Sequence, residues 1–177
     1  MSFRELVENR QSCRRFDPSK LVEDEKLVEI FEAGRLSPSA CNGQPYHITV
    51  CRGVIKSQVA RATQGPGING FVDDAPVLLV ISEEEYVKSA AIGSKLKKND
   101  YRSIDIGILS AYLTSMAHEL GLSTCILGWF NDEKIRSICH LSAPVRLVIA
   151  LGYADASDTL RVKKRKNVDQ LITIMDE

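Results

Sequence analysis

The chain has 177 residues, and 1–177 reads as one domain long enough to bury a core. Hydrophobic residues make up 44% and charged residues 26%, an ordinary globular balance. The 23 basic residues cancel the 23 acidic ones, which argues against nucleic acid or a membrane surface as a general partner, so any anion site must come from local clustering.

Residues 2–9 read as a short helix. Residues 23–35 read as a second, with Asp24 and Glu25 favouring its N-terminal end and Leu27, Val28, Ile30 and Phe31 forming an apolar face. That helix must stop before Pro38. A β-rich run follows at 46–51, then a helix over 54–63 and a loop at Gly65–Gly70. The continuous apolar run at 76–82 suits a strand buried on both faces. Residues 83–99 are polar and helical in part. A long helix is expected over 102–120, with Gly121 where a C-terminal cap belongs. Ile104, Ile108 and Tyr112 follow one path along it, and Leu109, Leu113 and Met116 a more apolar one. Residues 122–128 read as a strand, 132–139 as a helix capped by Asn131, and 145–152 as the last strand. Strands alternating with helices imply an α/β or α+β layered domain. The tail is first basic (Arg161 to Lys166) and then apolar (Val168, Leu171, Ile172, Ile174). Its apolar residues either add an edge strand or pack on a second subunit.

No stretch approaches the roughly 20 apolar residues that span a bilayer, and MSFRELVENR lacks the apolar run of a signal peptide. Cys13, Cys41, Cys51, Cys125 and Cys139 are odd in number, and none forms a C-x-x-C pair. This fits reduced thiols in a cytoplasmic protein, and no metal site is expected. His47, His118 and His140 are widely spaced, so no nucleophilic triad is expected. Gly65-Pro66-Gly67-Ile68-Asn69-Gly70 matches G-x-G-x-x-G, but a helix precedes it and a strand follows. A dinucleotide fingerprint needs the reverse order, so this segment is a loop.

Two N-terminal segments carry the chemistry. If 10–14 is extended, Arg10, Ser12 and Arg14 point to one side and place two cations around a hydroxyl. That pattern suits a phosphate; equally, the arginines could be solvated or pair with the acidic face of the second helix. Lys163 to Lys166 form a second basic cluster, either solvated or held by an anion. Ser37 to Tyr46 form a proline-bounded loop rich in small and amide side chains, suited to a planar polar ring.

Arg10-x-Ser12-x-Arg14-x-Phe16 followed by Ser37-Pro38-Ser39-Ala40-x-Asn42-x-Gln44-Pro45 resembles the two N-terminal signatures of the nitroreductase family of FMN-dependent oxidoreductases. Asp74-Ala75-Pro76-Val77, Gly121-Leu122-x-Thr124, Leu127-Gly128-Trp129-Phe130 and Leu151-Gly152-Tyr153 are similar to later family segments and occur in order. The resemblance implies an α+β sandwich with a central, mainly antiparallel sheet flanked by helices. It also implies an intertwined homodimer with FMN at the subunit interface. Residues 160–177 would be a C-terminal extension packing on the partner. Arg10, Gln11, Ser12 and Arg14 would hold the FMN phosphate with Lys164, Arg165 and Lys166. Pro38, Ser39 and Ala40 would line the ring from the partner subunit, Asn42 would meet its edge, and Leu127 and Gly128 would offer backbone groups near the reactive nitrogen. Cys41, in the same loop, is expected to serve packing. The family activity is ping-pong hydride transfer from NADH or NADPH, through flavin N5, to a nitroaromatic, quinone or similar acceptor. Alternatives are a flavin-dependent reductase acting on activated alkenes, halogenated aromatics or flavin, and a non-catalytic FMN-binding module. Two departures stand out. Position 40 is Ala where many relatives carry Ser or Gly, and the 83–104 segment lacks the large insertion of some relatives.

Overall fold

A computed structural model describes residues 1–176. The segments predicted as regular form the elements expected. Helices α1 (Phe3–Asn9), α2 (Asp24–Arg35), α3 (Gly53–Thr63), α4 (Lys88–Lys97), α5 (Tyr101–Glu119) and α6 (Asp132–Cys139) alternate with strands β1 (Tyr46–Cys51), β2 (Val77–Glu83), β3 (Ser123–Leu127) and β4 (Val145–Gly152). Local chemistry sets the ends. Asn131 accepts from the Lys134 N–H at 2.9 Å to start α6, and Asp100 accepts from the Ser103 N–H at 3.2 Å to start α5. Gly121, at φ +78°, ends α5 in the left-handed conformation that glycine tolerates best. The ambiguous 83–99 stretch resolves into the end of β2 and the short α4.

The four strands form one antiparallel sheet in the order β1-β2-β4-β3. Because the sheet is covered on both faces, its central strands carry consecutive apolar residues, Val77–Ile81 and Leu147–Leu151, rather than alternate ones. Leu78, Val80, Val148 and Ala150 face α3 and α6, with Val59, Ala60 and Ile135. Leu79, Ile81, Ile149 and Leu151 face α2 and α5, with Leu27, Ile30, Leu109 and Leu113. Each such leucine or isoleucine contributes about 1.5–3 kcal/mol by leaving water. This is the α+β sandwich implied by the family resemblance.

Two features differ from the sequence reading. On α5 the buried face includes three polar residues, Asp105, Ser110 and Thr114, while Ile104 and Tyr112 are exposed. Ser110 and Thr114 donate to the Ile106 and Ser110 carbonyls at 2.7 and 2.8 Å, so their hydroxyls are satisfied within the helix. Secondly, of the two alternatives for the tail, the edge strand does not form among the described residues. Residues 159–165 run back along the N-terminal segment, and beyond them the described residues include a short 3-10 turn, Val168–Gln170. Among the described residues, no helix is long and apolar enough to cross a membrane.

Candidate functional site

The N-terminal segment extends the sheet at its β3 edge. The Cys13 N–H donates to the Thr124 carbonyl at 2.8 Å, Ser12 pairs with Thr124 in parallel, and Phe16 pairs with Ala154. Extended backbone alternates its side chains. Cys13 therefore enters the core, at 0% exposure, and the opposite side carries Arg10, Ser12 and Arg14; past this alternation Phe16 is buried as well, at 3% exposure.

The tail closes over this segment. Gln11 donates through Nε2 to the Thr159 carbonyl at 3.1 Å and accepts at Oε1 from the Arg161 N–H at 3.0 Å. The Arg161 guanidinium reaches the Ser12 carbonyl and pairs with Asp158 at 2.8 Å. Lys163 Nζ donates to the Arg10 carbonyl at 2.7 Å. The result is a cleft of about 340 Å³ lined by Arg10, Ser12, Arg14 and the tail through Arg165.

These bonds sort the basic residues. Arg161 is neutralised, and Lys163 is turned onto backbone. Arg10, Arg14, Lys164 and Arg165 form no ion pair among the described residues. Gln11 lines the cleft, but its amide is occupied by the tail, so the structure uses it as a strap rather than a free donor. Lys166 lies outside the cleft lining.

The concentrated charge is felt nearby. Burial, then the Arg10, Arg165 and Arg161 charges, hold the Lys163 ammonium below its usual value. Burial, then Arg10 and Lys163, do the same to His118, whose Nε2 is enclosed without a partner. Burial pushes the Cys13 and Cys51 thiols up to about 12. Guanidinium, ammonium and hydroxyl donors facing one cleft, with no acid among its lining residues, fit a phosphate dianion. A larger open cleft of about 670 Å³ beside α3 mixes Lys56 and Arg61 with Asp73 and Asp74 and lacks this single sign.

The second predicted loop lies elsewhere. Residues Ala40–Asn42 form a 3-10 turn, with Cys41, Asn42 and Gln44 all in the left-handed region at φ +52°, +52° and +46°. Ser39 Oγ accepts from the Gln44 N–H at 3.0 Å, and the Gln44 amide donates back to Asn42. Pro38, Cys41 and Asn42 are exposed, and Ser39 and Ala40 half-buried. Cys41 is exposed in the single chain, on a turn held in the left-handed region. The Ala40 N–H donates at 3.0 Å to Asp105 Oδ1, near the start of α5, whereas His118 and the phosphate cleft lie near its end. Thirteen residues at about 1.5 Å each separate Asp105 from His118 by roughly 20 Å. Within one chain, therefore, the two predicted halves of the site do not meet.

Leu127 and Gly128 close β3, about 10 Å along the strand from the Ser12–Thr124 pair. The Leu127 side chain is buried, and Gly128 and Trp129 are exposed. The Gly65–Gly70 loop turns on itself through Gly65 and Ile68. A Cβ on Gly65 would come within 3.1 Å of the Trp129 indole nitrogen, so this glycine makes room for Trp129 and not for a pyrophosphate. Asp105 escaped the sequence reading because its partner lies 65 residues away; its sequence signal is a carboxylate set between Ile104 and Ile106.

Residues 7–153 match the family model described as the nitroreductase family. An oxygen-insensitive NADPH nitroreductase of Helicobacter pylori is 41% identical, with 92% of each chain covered. A nitroreductase family protein of Streptococcus pneumoniae superposes with a TM-score of 0.84 at 21% identity, covering 98% of this chain and 100% of that one. A protein of Exiguobacterium sibiricum solved in complex with FMN has the same fold, with a TM-score of 0.82 at 17% identity and 99% and 98% of the two chains covered.

Proposed function

The chain belongs to the nitroreductase family of oxidoreductases, and on that premise we propose that it is an FMN-dependent enzyme that takes hydride from NADH or NADPH and reduces a small oxidised acceptor such as a nitroaromatic or a quinone. The observation that carries this reading is the cleft in which Arg10, Arg14, Lys164 and Arg165 surround Ser12 without an ion pair among the described residues. FMN, when bound, supplies the hydride-transfer chemistry, in a ping-pong cycle that needs no separate dinucleotide domain.

The chain's own residues bind and orient. Arg10 and Arg14 grip the phosphate through guanidinium N–H groups, Ser12 donates its hydroxyl, and Lys164 and Arg165 complete the neutralisation. Gln11 and Lys163 hold the tail so that those two cations face the cleft. Leu127 and Gly128 offer backbone groups to the ring, at the end of the strand beside the cleft. Pro38, Ser39, Ala40 and Asn42 line the ring from the partner subunit.

A homodimer follows from this division of labour. The roughly 20 Å between the loop and the cleft within one chain favours completing each site in trans. Exposed apolar residues support such a dimer. A groove lined by Phe3, Leu6, Ala33, Tyr112 and Met116 runs between α1, α2 and α5, and Val168, Leu171, Ile172 and Ile174 of the tail are exposed in the single chain. Residues 160–177 thus act as an arm on the partner, and five free cysteines suit a reducing cytoplasm.

The test is anaerobic stopped-flow mixing of the flavin-loaded protein with NADH or NADPH. Bleaching of the flavin band, followed by its return when an acceptor is added, supports the enzyme. A protein that binds FMN but is reduced by neither nucleotide would be a flavin-binding module, and one that never takes up FMN would end the reading.

A further inference from the structure

We propose that Asp105 is the positioning residue of the 38–44 loop, holding it in the shape that meets the flavin ring. The inference rests on the reading that this loop lines FMN, and it adds a residue from outside both signature segments. Asp105 lies near the start of α5 and is 3% exposed. Its Oδ1 accepts from the Ala40 N–H at 3.0 Å. Its Oδ2 is equally enclosed and has no partner. A buried carboxylate with one oxygen unsatisfied is a poor choice for packing, since an apolar side chain would serve the helix better. The hydrogen bond it makes serves the loop and not the core.

The loop needs such a clamp. Cys41, Asn42 and Gln44 are held at φ between +46° and +52°, where side chains other than glycine are disfavoured. The bonds from Asn42 N to Ser39 O, Gly43 N to Ala40 O and Gln44 N to Ser39 Oγ tie the loop to itself. Among the described residues, the Tyr46 N–H donates to the Gln44 carbonyl at 2.8 Å where the loop runs into β1, and the Ala40–Asp105 bond is the one hydrogen bond that ties residues 38–44 to an element distant in sequence. An acceptor on a rigid helix fixes both the height and the direction of the turn. Asp105 therefore acts on the ring half of the site, while Arg14 acts on the phosphate half.

That division gives the experiment, using the full-length protein with FMN and with riboflavin, which lacks the phosphate. Asp105→Ala should weaken both flavins alike, by about tenfold, and alter the visible circular dichroism of the bound flavin. Asp105→Asn keeps an acceptor for Ala40 and should stay within about threefold of the unmodified protein. Arg14→Ala should weaken FMN only. Asp105→Ala protein that binds both flavins normally with an unchanged spectrum would overturn the proposal, as would Asp105→Asn being as impaired as Asp105→Ala. If Asp105→Ala does not fold, amide exchange decides: slow exchange at Ala40 in the unmodified and Asp105→Asn proteins supports the clamp, and open-loop rates overturn it. Unmodified protein that binds neither flavin would defeat the FMN reading and this proposal together, an outcome distinct from the others.

Discussion

Cys13 sits between Ser12 and Arg14 and is wholly buried, while its neighbours on either side turn to the cleft. One alternation thus anchors the segment and arms it. Arg14→Ala should remove a charge-assisted contact worth roughly 1.5–3 kcal/mol, raising the FMN dissociation constant about 10- to 100-fold. Because Arg14 is exposed, thermal unfolding of the flavin-free protein should barely move. Titration of FMN fluorescence and a melting curve check both parts. His118 supplies a pH dependence. Burial, with Arg10 and Lys163 beside it, holds its imidazole below the ordinary value of about 6.5. As pH falls through that value the unfolded chain takes up the proton first, so stability present above it is lost toward the lower folded value. His118→Gln should accordingly lose less melting temperature between pH 7 and pH 5 than the unmodified protein. Equal losses would show that His118 is not the group responsible.

The elements were readable wherever pattern and punctuation agreed. The apolar run at 76–82, the Asn131 cap and the Gly121 stop are local signals, and the structure follows them. The direction of strand pairing was not readable from that run, since any strand covered on both faces is apolar throughout; the antiparallel sheet entered through the family resemblance. The tail register was also illegible, because four consecutive cations are equivalent until the Gln11–Arg161 and Lys163–Arg10 bonds fix which ones face the cleft. Gly152 marks where β4, β2 and the N-terminal segment crowd together. A Cβ there would lie 2.5 Å from Pro76 Cδ and 3.2 Å from Phe16 Cδ1, and a proline ring cannot swing aside. Gly152→Ala should cost about 1–3 kcal/mol, measurable as a lower urea midpoint with an unchanged slope. An unshifted midpoint would mean that the β4 end relaxes freely.

At the scale of the molecule, α5 connects the two halves of the site without letting them meet. Its first turns hold the 38–44 loop through Asp105, and its last turn abuts the phosphate cleft through His118. Its exposed side carries Ile104 and Tyr112, so the helix is apolar beyond the face that its own core covers. One flavin served by both halves therefore calls for two chains. Subunit mixing tests this most directly. Arg14→Ala disables only the cleft, and Ala40→Arg only the ring loop, so neither protein alone should fill with FMN at a concentration that saturates the unmodified protein. Unfolded together and refolded in equal amounts, they should form mixed dimers in which one of the two sites has both halves intact. The account predicts that roughly a quarter of all sites regain tight FMN binding. No recovery from the mixture, with both proteins folded and dimeric, would contradict a site shared between subunits.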